Sequence, residues 1–599
     1  MDDLEKTTLQ FPFELPPRTD KRRKRPGFYI KRAVILIVLI CSSLSFFIPR
    51  VYNPRTRKLS DQNPGQLGAV VTENRRCSRI GIDILRRGGN AADAAVASTL
   101  CVGTVGMYHS GIGGGGFAVI RSVDGSYETI DFRDAAPSSA FQDMFKDNAT
   151  SSMRGTLASG VPGEIRGLEY IHKKYGRLPW SDLFAPAVQL ARDGFLVGED
   201  LERCINASLP SSSDQLDFFT QDASWALDFA PNGTRVRRGD HISRKRYADT
   251  LELIGMHGPD AFYQGPIAER ISHATNGSIT LEDLREYSVR HLRTANITYR
   301  NHRLFSTVAP SSGAIALSIL KIAEGFDDFF THDTVNLSTH RLVESMKFAY
   351  GQRAKLGDPF FVPGLDDYQD NILSDAIAKR NRDKISDKGT LDMDAYNPDG
   401  VELPSSHGTS HIVTADHTGL SISLTTTINL LFGSRVMDLQ TGIIMNDVMN
   451  DFSIPGVPSA DGYAPSPENF VRPGKRPLSS TTPTFVEDLE GNLQLIIGAA
   501  GGSRIISSTV QSIIHVLDQG MTMAGALQQP RFHDQLIPNE TGFELGYDAE
   551  VITFLAAHGH NVTLMPSTLS AVQGIIRRPD GSFDAASEPR QKDSGGFSL

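Results

Sequence analysis

Cysteine and tryptophan are scarce in this sequence, with four and two copies in 599 residues. Cys41, Cys77, Cys101 and Cys204 form no CxxC pair. That excludes the common zinc spacings and a thioredoxin-like redox centre, so no metal or other cofactor is expected. A basic excess is missing too: the formal net charge is -9, the reverse of the cationic footprint that nucleic-acid binding requires. No Pro/Ser-rich linker divides the chain after residue 65 and no internal repeat is found, which favours one large unit or two interleaved halves. Glycine, by contrast, is plentiful. The run Ser110-Gly-Ile-Gly-Gly-Gly-Gly-Phe117 invites a phosphate-loop reading, but it lacks the lysine and Ser/Thr of the Walker pattern and follows no clear strand, so nucleotide binding is set aside. The apolar fraction of 40% and charged fraction of 22% are those of an ordinary globular protein.

The amino terminus has its own logic. Residues 1–32 are polar and end in Lys21-Arg-Arg-Lys-Arg25 and Lys31-Arg32, whereas 33–48 is uncharged and mostly aliphatic. At 1.5 Å per residue this run reaches about 24 Å, slightly short of a hydrocarbon core, with Tyr29, Lys31 and Arg32 completing the span. The expectation is a cytoplasmic tail over 1–32, a single transmembrane helix over 33–48 and a linker over 49–65. A cleaved signal peptide is the competing reading, but the charged leader is long for one and no small-x-small site stands before Arg50. The basic cluster keeps the amino terminus cytoplasmic and sends the remainder into the lumen or outside the cell, as in a type II protein of the vacuolar membrane or cell surface. Eight sequons, at Asn148, Asn206, Asn232, Asn276, Asn296, Asn336, Asn539 and Asn561, all lie on that side. In such a compartment Cys77 and Cys101 form either a disulfide or two buried thiols, and Cys204 stays unpaired.

Periodicity predicts helices over Cys77–Leu100 with a break at Gly88-Gly89 and a cap at Asn90, and over Gly163–Tyr175, Leu183–Arg192 and Thr339–Leu356. After Ser410 the texture becomes alternating: His411–Ala415, Leu420–Thr425, Thr484–Val486 and Leu493–Ile497 read as strands, before helices return over Ile505–Gln519 and Met523–Gln528. Helix blocks around sheet-rich stretches predict stacked layers with the sheets inside.

The segment Ser406-His-Gly-Thr-Ser-His411 opens the sheet-rich half. Alone it is a Ser/Thr-rich loop, since these residues commonly fill turns. Its company changes the reading. Thr409-Ser-His411, Thr425-Thr-Thr-Ile-Asn-Leu430, Gly442-Ile-Ile-Met-Asn446, Asp451-Phe-Ser453, Pro473-Gly-Lys-Arg-Pro-Leu-Ser-Ser480 and Gly498-Ala-Ala-Gly-Gly-Ser-Arg504 closely resemble, in order, the small-subunit core of the gamma-glutamyltransferases. Gly88-Gly-Asn-Ala-Ala-Asp93, the glycine run, Asp131-Phe-Arg133, Gly160-Val-Pro-Gly-Glu164 and Leu356-Gly-Asp-Pro359 resemble the preceding half, so the likeness spans roughly 65–595.

The resemblance implies an α+β fold, the four-layer αββα sandwich of amino-terminal-nucleophile hydrolases. It implies a precursor cut between Gly408 and Thr409 into a large subunit, 66–408, and a small one, 409–599. It implies Thr409 as nucleophile, Thr427 as the threonine that holds its hydroxyl, and Gly501 with Gly502 as the oxyanion hole. Arg133, Ser479 and Ser480 would take the α-carboxylate of the donor, and Asp451 with Asn429 its ammonium. The partners implied are glutathione, other gamma-glutamyl compounds, and amino acid or peptide acceptors. The chemistry is coherent: a threonine hydroxyl needs a base, and the α-amine freed by cleavage, with a reference pKa of about 7.7 to 8.0, supplies one.

This chain departs from the family pattern in three places: Val448 where the family usually has Glu or Gln, Asn450 for a usual Asp, and Leu431 where some relatives have tyrosine. Loss of an acceptor at Val448 would weaken the ammonium site by one charge-assisted hydrogen bond, about 1.5 to 3 kcal/mol, if nothing substitutes. The alternatives are a non-catalytic anchored glycoprotein that retains the fold, and an amidase or acylase of different acyl specificity. Retention of Thr409, Thr427, Arg133, Asp451 and both glycines weighs against the first, and Arg133 with Asp451, a pair suited to an α-amino acid, argues against the second.

Overall fold

In the computed structural model β1 (Gly68–Thr72) leads into α1 (Arg75–Arg86) and α2 (Ala91–Val105). The break between the helices falls at the paired glycines, and Asn90 accepts from Ala92 N and Asp93 N while Asp93 returns a bond to the Asn90 N–H, a complete capping box. Every residue of α2 is buried, which explains its alanine-rich composition, since only small side chains let a helix lie this close to its neighbours on all sides. Cys77 of α1 and Cys101 of α2 are joined as a disulfide, which decides between the two readings left open by the sequence, and Cys204 is buried and free.

The structure describes residues 65–209, 217–331, 333–402, 408–458 and 461–599. The expected tail, the anchor over 33–48 and nearly all of the linker lie outside these residues. Among the described helices none is long and apolar enough to cross a membrane.

The remaining elements that position the site are β2 (Gly115–Arg121), β3 (Tyr127–Phe132), β4 (Arg290–Leu292), β5 (Thr294–Tyr299), β6 (His302–Thr307), α3 (Gly313–Ala323), α4 (Val335–Arg353), β7 (Ser410–Asp416), β8 (Ser421–Thr427), β9 (Thr484–Asp488), β10 (Leu493–Ala500), α5 (Arg504–Leu517), β11 (Ala571–Arg577), β12 (Phe583–Ala586) and β13 (Gly595–Ser598). One sheet runs β13-β1-β7-β8-β2-β3-β4 and the other β12-β11-β10-β9-β6-β5. Both are antiparallel throughout. The sheets face each other, β10 against β7 and β8, with α2 outside the first and α3 and α5 outside the second. These are the four αββα layers that the resemblance implied.

Val119, Val413, Phe485, Ile496 and Ile575 form the sheet-to-sheet core, and larger apolar clusters lie between each sheet and its helices. At about 1.5 to 3 kcal/mol per fully buried aliphatic or aromatic side chain, these interfaces dominate the stability. Sandwiching leaves every residue of β7 and β8 buried, including their many Ser and Thr residues. Their hydroxyls therefore need internal partners, and Thr414 Oγ1 donates to Ala91 O at 2.8 Å while Thr425 Oγ1 and His411 Nδ1 are 3.0 Å apart.

The glycine run has a packing explanation. A Cβ on Gly113, Gly114 or Gly116 would come within 2.0, 2.2 and 1.9 Å of the carbonyl oxygens of Ile444, Thr427 and Thr425. The run is bare because β8 and the Ile444 segment lie directly on it, which leaves no space for a phosphate cradle.

Candidate active site

Strand register builds the centre of the site. In the β7–β8 hairpin Ser410 pairs with Thr426, so Thr409, one residue before β7, lies across from Thr427, the last residue of β8. Thr409 is 4% exposed. Its hydroxyl donates to the carbonyl oxygen of Gly408, the group it would attack in self-cleavage. Thr427 Oγ1 donates to the same Gly408 oxygen at 3.1 Å and accepts from Asn429 N at 2.8 Å. Thr427 thus holds the Gly408 carbonyl rather than the Thr409 hydroxyl, a difference from the role that the resemblance implied. Gly408 has φ +90°, and a Cβ there would lie 2.1 Å from Asn429 O, so only glycine fits.

From the second sheet, β10 ends beside Thr409. Gly501 lines the same cleft as Gly408 and Thr409, a space of about 150 Å³. Gly501 and Gly502 have φ of +124° and +64°, and a Cβ on Gly501 would lie 2.4 Å from Leu569 O. The predicted nucleophile and the predicted oxyanion donors are therefore adjacent, one on each sheet. His411 closes the gap between the sheets. A Cβ on Gly498 would meet its ring at 2.3 Å, and burial pulls its pKa down to about 3, so the ring is neutral at any working pH.

Arg133 follows β3 and is 1% exposed. It pairs with Asp451, whose side chain is equally buried, and donates to Leu478 O at 3.4 Å, next to Ser479 and Ser480. Among the described residues Arg133 Nε and Asp451 Oδ1 are buried without a well-aligned hydrogen-bond partner. One orphan donor and one orphan acceptor thus flank an intramolecular ion pair. Burial raises Asp451 to about 6, against the opposing pull of Arg133, Arg353 and Asn429. Asn429, at φ +72°, donates through Nδ2 to Asp447 O at 3.1 Å. Through Thr427, Asn429 and Asp451 the structure connects Thr409 to Arg133.

Several residues that sequence reasoning missed hold this arrangement. Arg353, at the end of α4, donates to Ser312 Oγ at 3.0 Å and Ser480 Oγ at 3.2 Å. Asn469 Nδ2 donates to Asp451 O at 2.7 Å while its Oδ1 accepts from Leu478 N at 3.2 Å, tying the two halves of the head-group site together. Arg476 forms a buried pair with Asp131 at 2.7 Å and donates its N–H to Asp358 at 2.8 Å, which fixes the end of β3 and hence Arg133. Asp131, Asp358 and Arg476 of the sequence motifs are thus scaffold. His109 lines the Thr409 cleft. Burial pulls it down, but hydrogen bonds to Cys204 and Glu73 prevail and raise it to about 9.

Val448 is fully buried, and a Cβ on Gly160 would lie 2.5 Å from its Cγ1. It packs against the Gly160-Val-Pro segment. Beside it, Asp447 accepts from Leu430 N at 2.9 Å through Oδ1, while Oδ2 is buried without a partner. Burial, with Asp451 adding to it, lifts Asp447 well above the usual carboxylate range. A second acid therefore accompanies Asp451 although residue 448 is valine. Asn450 Oδ1 accepts from Ser152 Oγ at 3.1 Å, and Leu431 is half-buried.

His340, Glu344 and His560 cluster elsewhere with donor types that suit a cation. Their nitrogens are committed. His340 Nε2 can only donate to Ser386 O at 2.8 Å, so Nδ1 accepts from His560 Nε2 at 2.7 Å, and Lys347 Nζ faces His560 Nδ1 at 3.3 Å. The lysine ammonium already supplies the positive charge there, so this donor set serves a hydrogen-bond chain.

The fold matches a cephalosporin acylase from Bacillus halodurans with a TM-score of 0.78 at 25% identity, over 92% of this chain and 99% of that one. In sequence the chain is 51% identical to the glutathione hydrolase proenzyme of Arthroderma benhamiae, over 89% of this chain and 93% of the relative. It is also 51% identical to the glutathione hydrolase of Aspergillus flavus, over 90% of each, and 35% identical to the glutathione hydrolase proenzyme of Escherichia coli, over 88% of this chain and 91% of the relative. With residues 77–597 matching the family model for gamma-glutamyltranspeptidase, this chain belongs to the gamma-glutamyltranspeptidase family.

Proposed function

We propose that the protein cuts its own chain between Gly408 and Thr409 and then uses Thr409 to carry the gamma-glutamyl group of glutathione and its conjugates to water or to an amino acid or peptide amine. The observation that carries this reading is the buried Arg133–Asp451 pair with its orphan Nε and Oδ1. A zwitterionic α-amino acid head presents a carboxylate to the guanidinium and an ammonium to the carboxylate, so it can exchange with the internal pair and satisfy both orphans.

In self-cleavage Thr409 Oγ attacks the Gly408 carbonyl carbon, polarised by the Thr427 hydroxyl. The Gly408–Thr409 C–N bond breaks as the nitrogen takes the proton given up by the hydroxyl. Water hydrolyses the resulting ester, leaving a Gly408 carboxylate and a free Thr409 amine. That amine then accepts the Thr409 hydroxyl proton while Oγ attacks the donor's γ-carbonyl. The oxyanion faces the backbone N–H groups of Gly501 and Gly502. As the amide C–N bond breaks, the amine hands its proton to the leaving nitrogen. Water or an acceptor amine then attacks the gamma-glutamyl ester in the same manner and restores Thr409. The His109 imidazolium beside the new amine opposes its protonation and favours the basic form.

The mature enzyme is a large subunit ending at Gly408 and a small one beginning at Thr409. It is held at the vacuolar membrane or cell surface by the anchor over 33–48, with the catalytic part lumenal or extracellular and glycosylated. The Cys77–Cys101 disulfide and the exposure of seven of the eight sequon asparagines, with Asn336 half-buried, support that placement.

Amino-terminal sequencing of the smaller band on a denaturing gel, with glutathione hydrolysis measured on the same preparation, tests the reading. A Thr409 terminus and activity that are both lost in Thr409→Ala are expected. Uncut protein with full activity would overturn it. Endoglycosidase treatment and alkaline carbonate extraction test the anchor and glycans, expected as a mobility shift and retention in the membrane pellet.

A further inference from the structure

The cleft around Thr409 is one-sided in charge. Among the described residues Arg203, Arg504, Arg590 and His109 line it, and no Asp or Glu does. Three of these cations have carboxylate partners: Arg203 lies 3.3 Å from Asp200, Arg590 lies 2.5 Å from Glu544, and His109 lies 3.5 Å from Glu73. Arg504 differs. Among the described residues no carboxylate lies within ion-pair distance of it, its guanidinium donates no hydrogen bond, and its Nε is buried without a partner. Burial lowers its pKa, with only distant support from Tyr350 and Glu540. A half-buried guanidinium with no anion carries an uncompensated desolvation cost, which a ligand carboxylate would offset.

The donor's own head group is accounted for by the closed Arg133–Asp451 site, which does not line this cleft. What remains on the open side of Thr409 is the part of the donor beyond the scissile amide. We propose that Arg504 is the receptor for the carboxylate of the leaving group, which in glutathione is the carboxyl-terminal carboxylate of a dipeptide, and equally for the carboxylate of an amino acid or peptide acceptor that enters by the same opening. Arg504 follows Gly501-Gly502-Ser503 directly and begins α5, so the backbone that holds the predicted oxyanion donors also fixes this cation relative to the reacting carbonyl. The Ser503 hydroxyl, buried without a partner at the same helix start, is a further donor within this segment.

The inference rests on the gamma-glutamyl transfer proposed above, and substrates that differ only in leaving-group charge separate the two. Initial rates are measured for wild type, Arg504→Gln and Arg504→Lys with glutathione, with its glycine-amide analogue and with a gamma-glutamyl anilide, whose leaving group is neutral. Wild type should prefer glutathione to the amide by tenfold or more in kcat/KM, the worth of a charge-assisted hydrogen bond. Arg504→Gln should erase that preference while keeping the anilide rate within about threefold, and Arg504→Lys should restore part of it. Equal losses on all three donors would make Arg504 a support of the oxyanion segment and overturn the proposal, as would a wild type indifferent to the amide, a result that needs no folded variant. Wild type inert toward every donor would overturn the transfer reading itself.

Discussion

The acid side of the pH profile should read out donor recognition directly. Asp451 must be ionised to receive an ammonium, and burial lifts its pKa to about 6. The sign follows from the charge. Above that pH the carboxylate is present and donor capture is at its plateau, whereas each pH unit below it lowers the ionised fraction about tenfold. Because kcat/KM reports groups of the free enzyme, and the Thr409 amine must also be unprotonated, its value for a gamma-glutamyl donor should fall between pH 7 and pH 5 by about tenfold more than titration of that amine alone accounts for. Asp451→Asn removes this titration, so the limb should become shallower and keep only the part due to the Thr409 amine. The plateau should fall by roughly ten- to a hundred-fold, corresponding to about 1.5 to 3 kcal/mol for one charge-assisted contact. Leaving Arg133 buried without its anion costs about 3 to 5 kcal/mol of stability, so rates belong below the variant's unfolding transition, followed by circular dichroism. Initial rates over pH 4.5–9, with kcat and KM resolved, decide the matter. Steepening of the wild-type limb only near pH 4, or an unchanged limb in Asp451→Asn, would refute the assignment of the ammonium to Asp451.

Three further outcomes follow from the same geometry. Thr427→Ala, which removes the 3.1 Å bond to the Gly408 carbonyl, should slow self-cleavage about tenfold, and Gly408→Ala, whose Cβ would strike Asn429 O, should abolish it; timed denaturing gels check both. Replacing His109 with Asn should raise the pKa of the Thr409 amine by removing a neighbouring positive charge, so the rate near pH 7 falls and recovers at higher pH, seen as a shift of the rising limb of the kcat profile to higher pH. Cys77→Ser should lower stability by about 2 to 4 kcal/mol, the usual range for a cross-link spanning 24 residues, measured by urea unfolding with and without reductant.

The local signals of the sequence survive into the fold. The Gly88-Gly89 break, the Asn90 cap and the strands at 411–415, 420–425, 484–486 and 493–497 reappear with ends shifted by a few residues, because caps and alternation act over one or two turns. The strands β1, β3 to β6 and β11 to β13 went unread. Such short segments gain their identity from partners far along the chain, as β1 does between β7 and the carboxyl-terminal β13.

The sequence by itself determined the family and which residues its motifs single out, because a Gly-Thr junction, a paired glycine and an ordered set of motifs are covalent facts. Only the tertiary structure decided what those residues do to each other. Register set Thr427 on the Gly408 carbonyl, packing turned the glycine run into a seat for β8, and burial joined Arg133 to Asp451 while leaving Arg504 without an anion among the described residues. Sequence spacing carries no information about such encounters, since desolvation and ion pairing depend on distances between segments hundreds of residues apart.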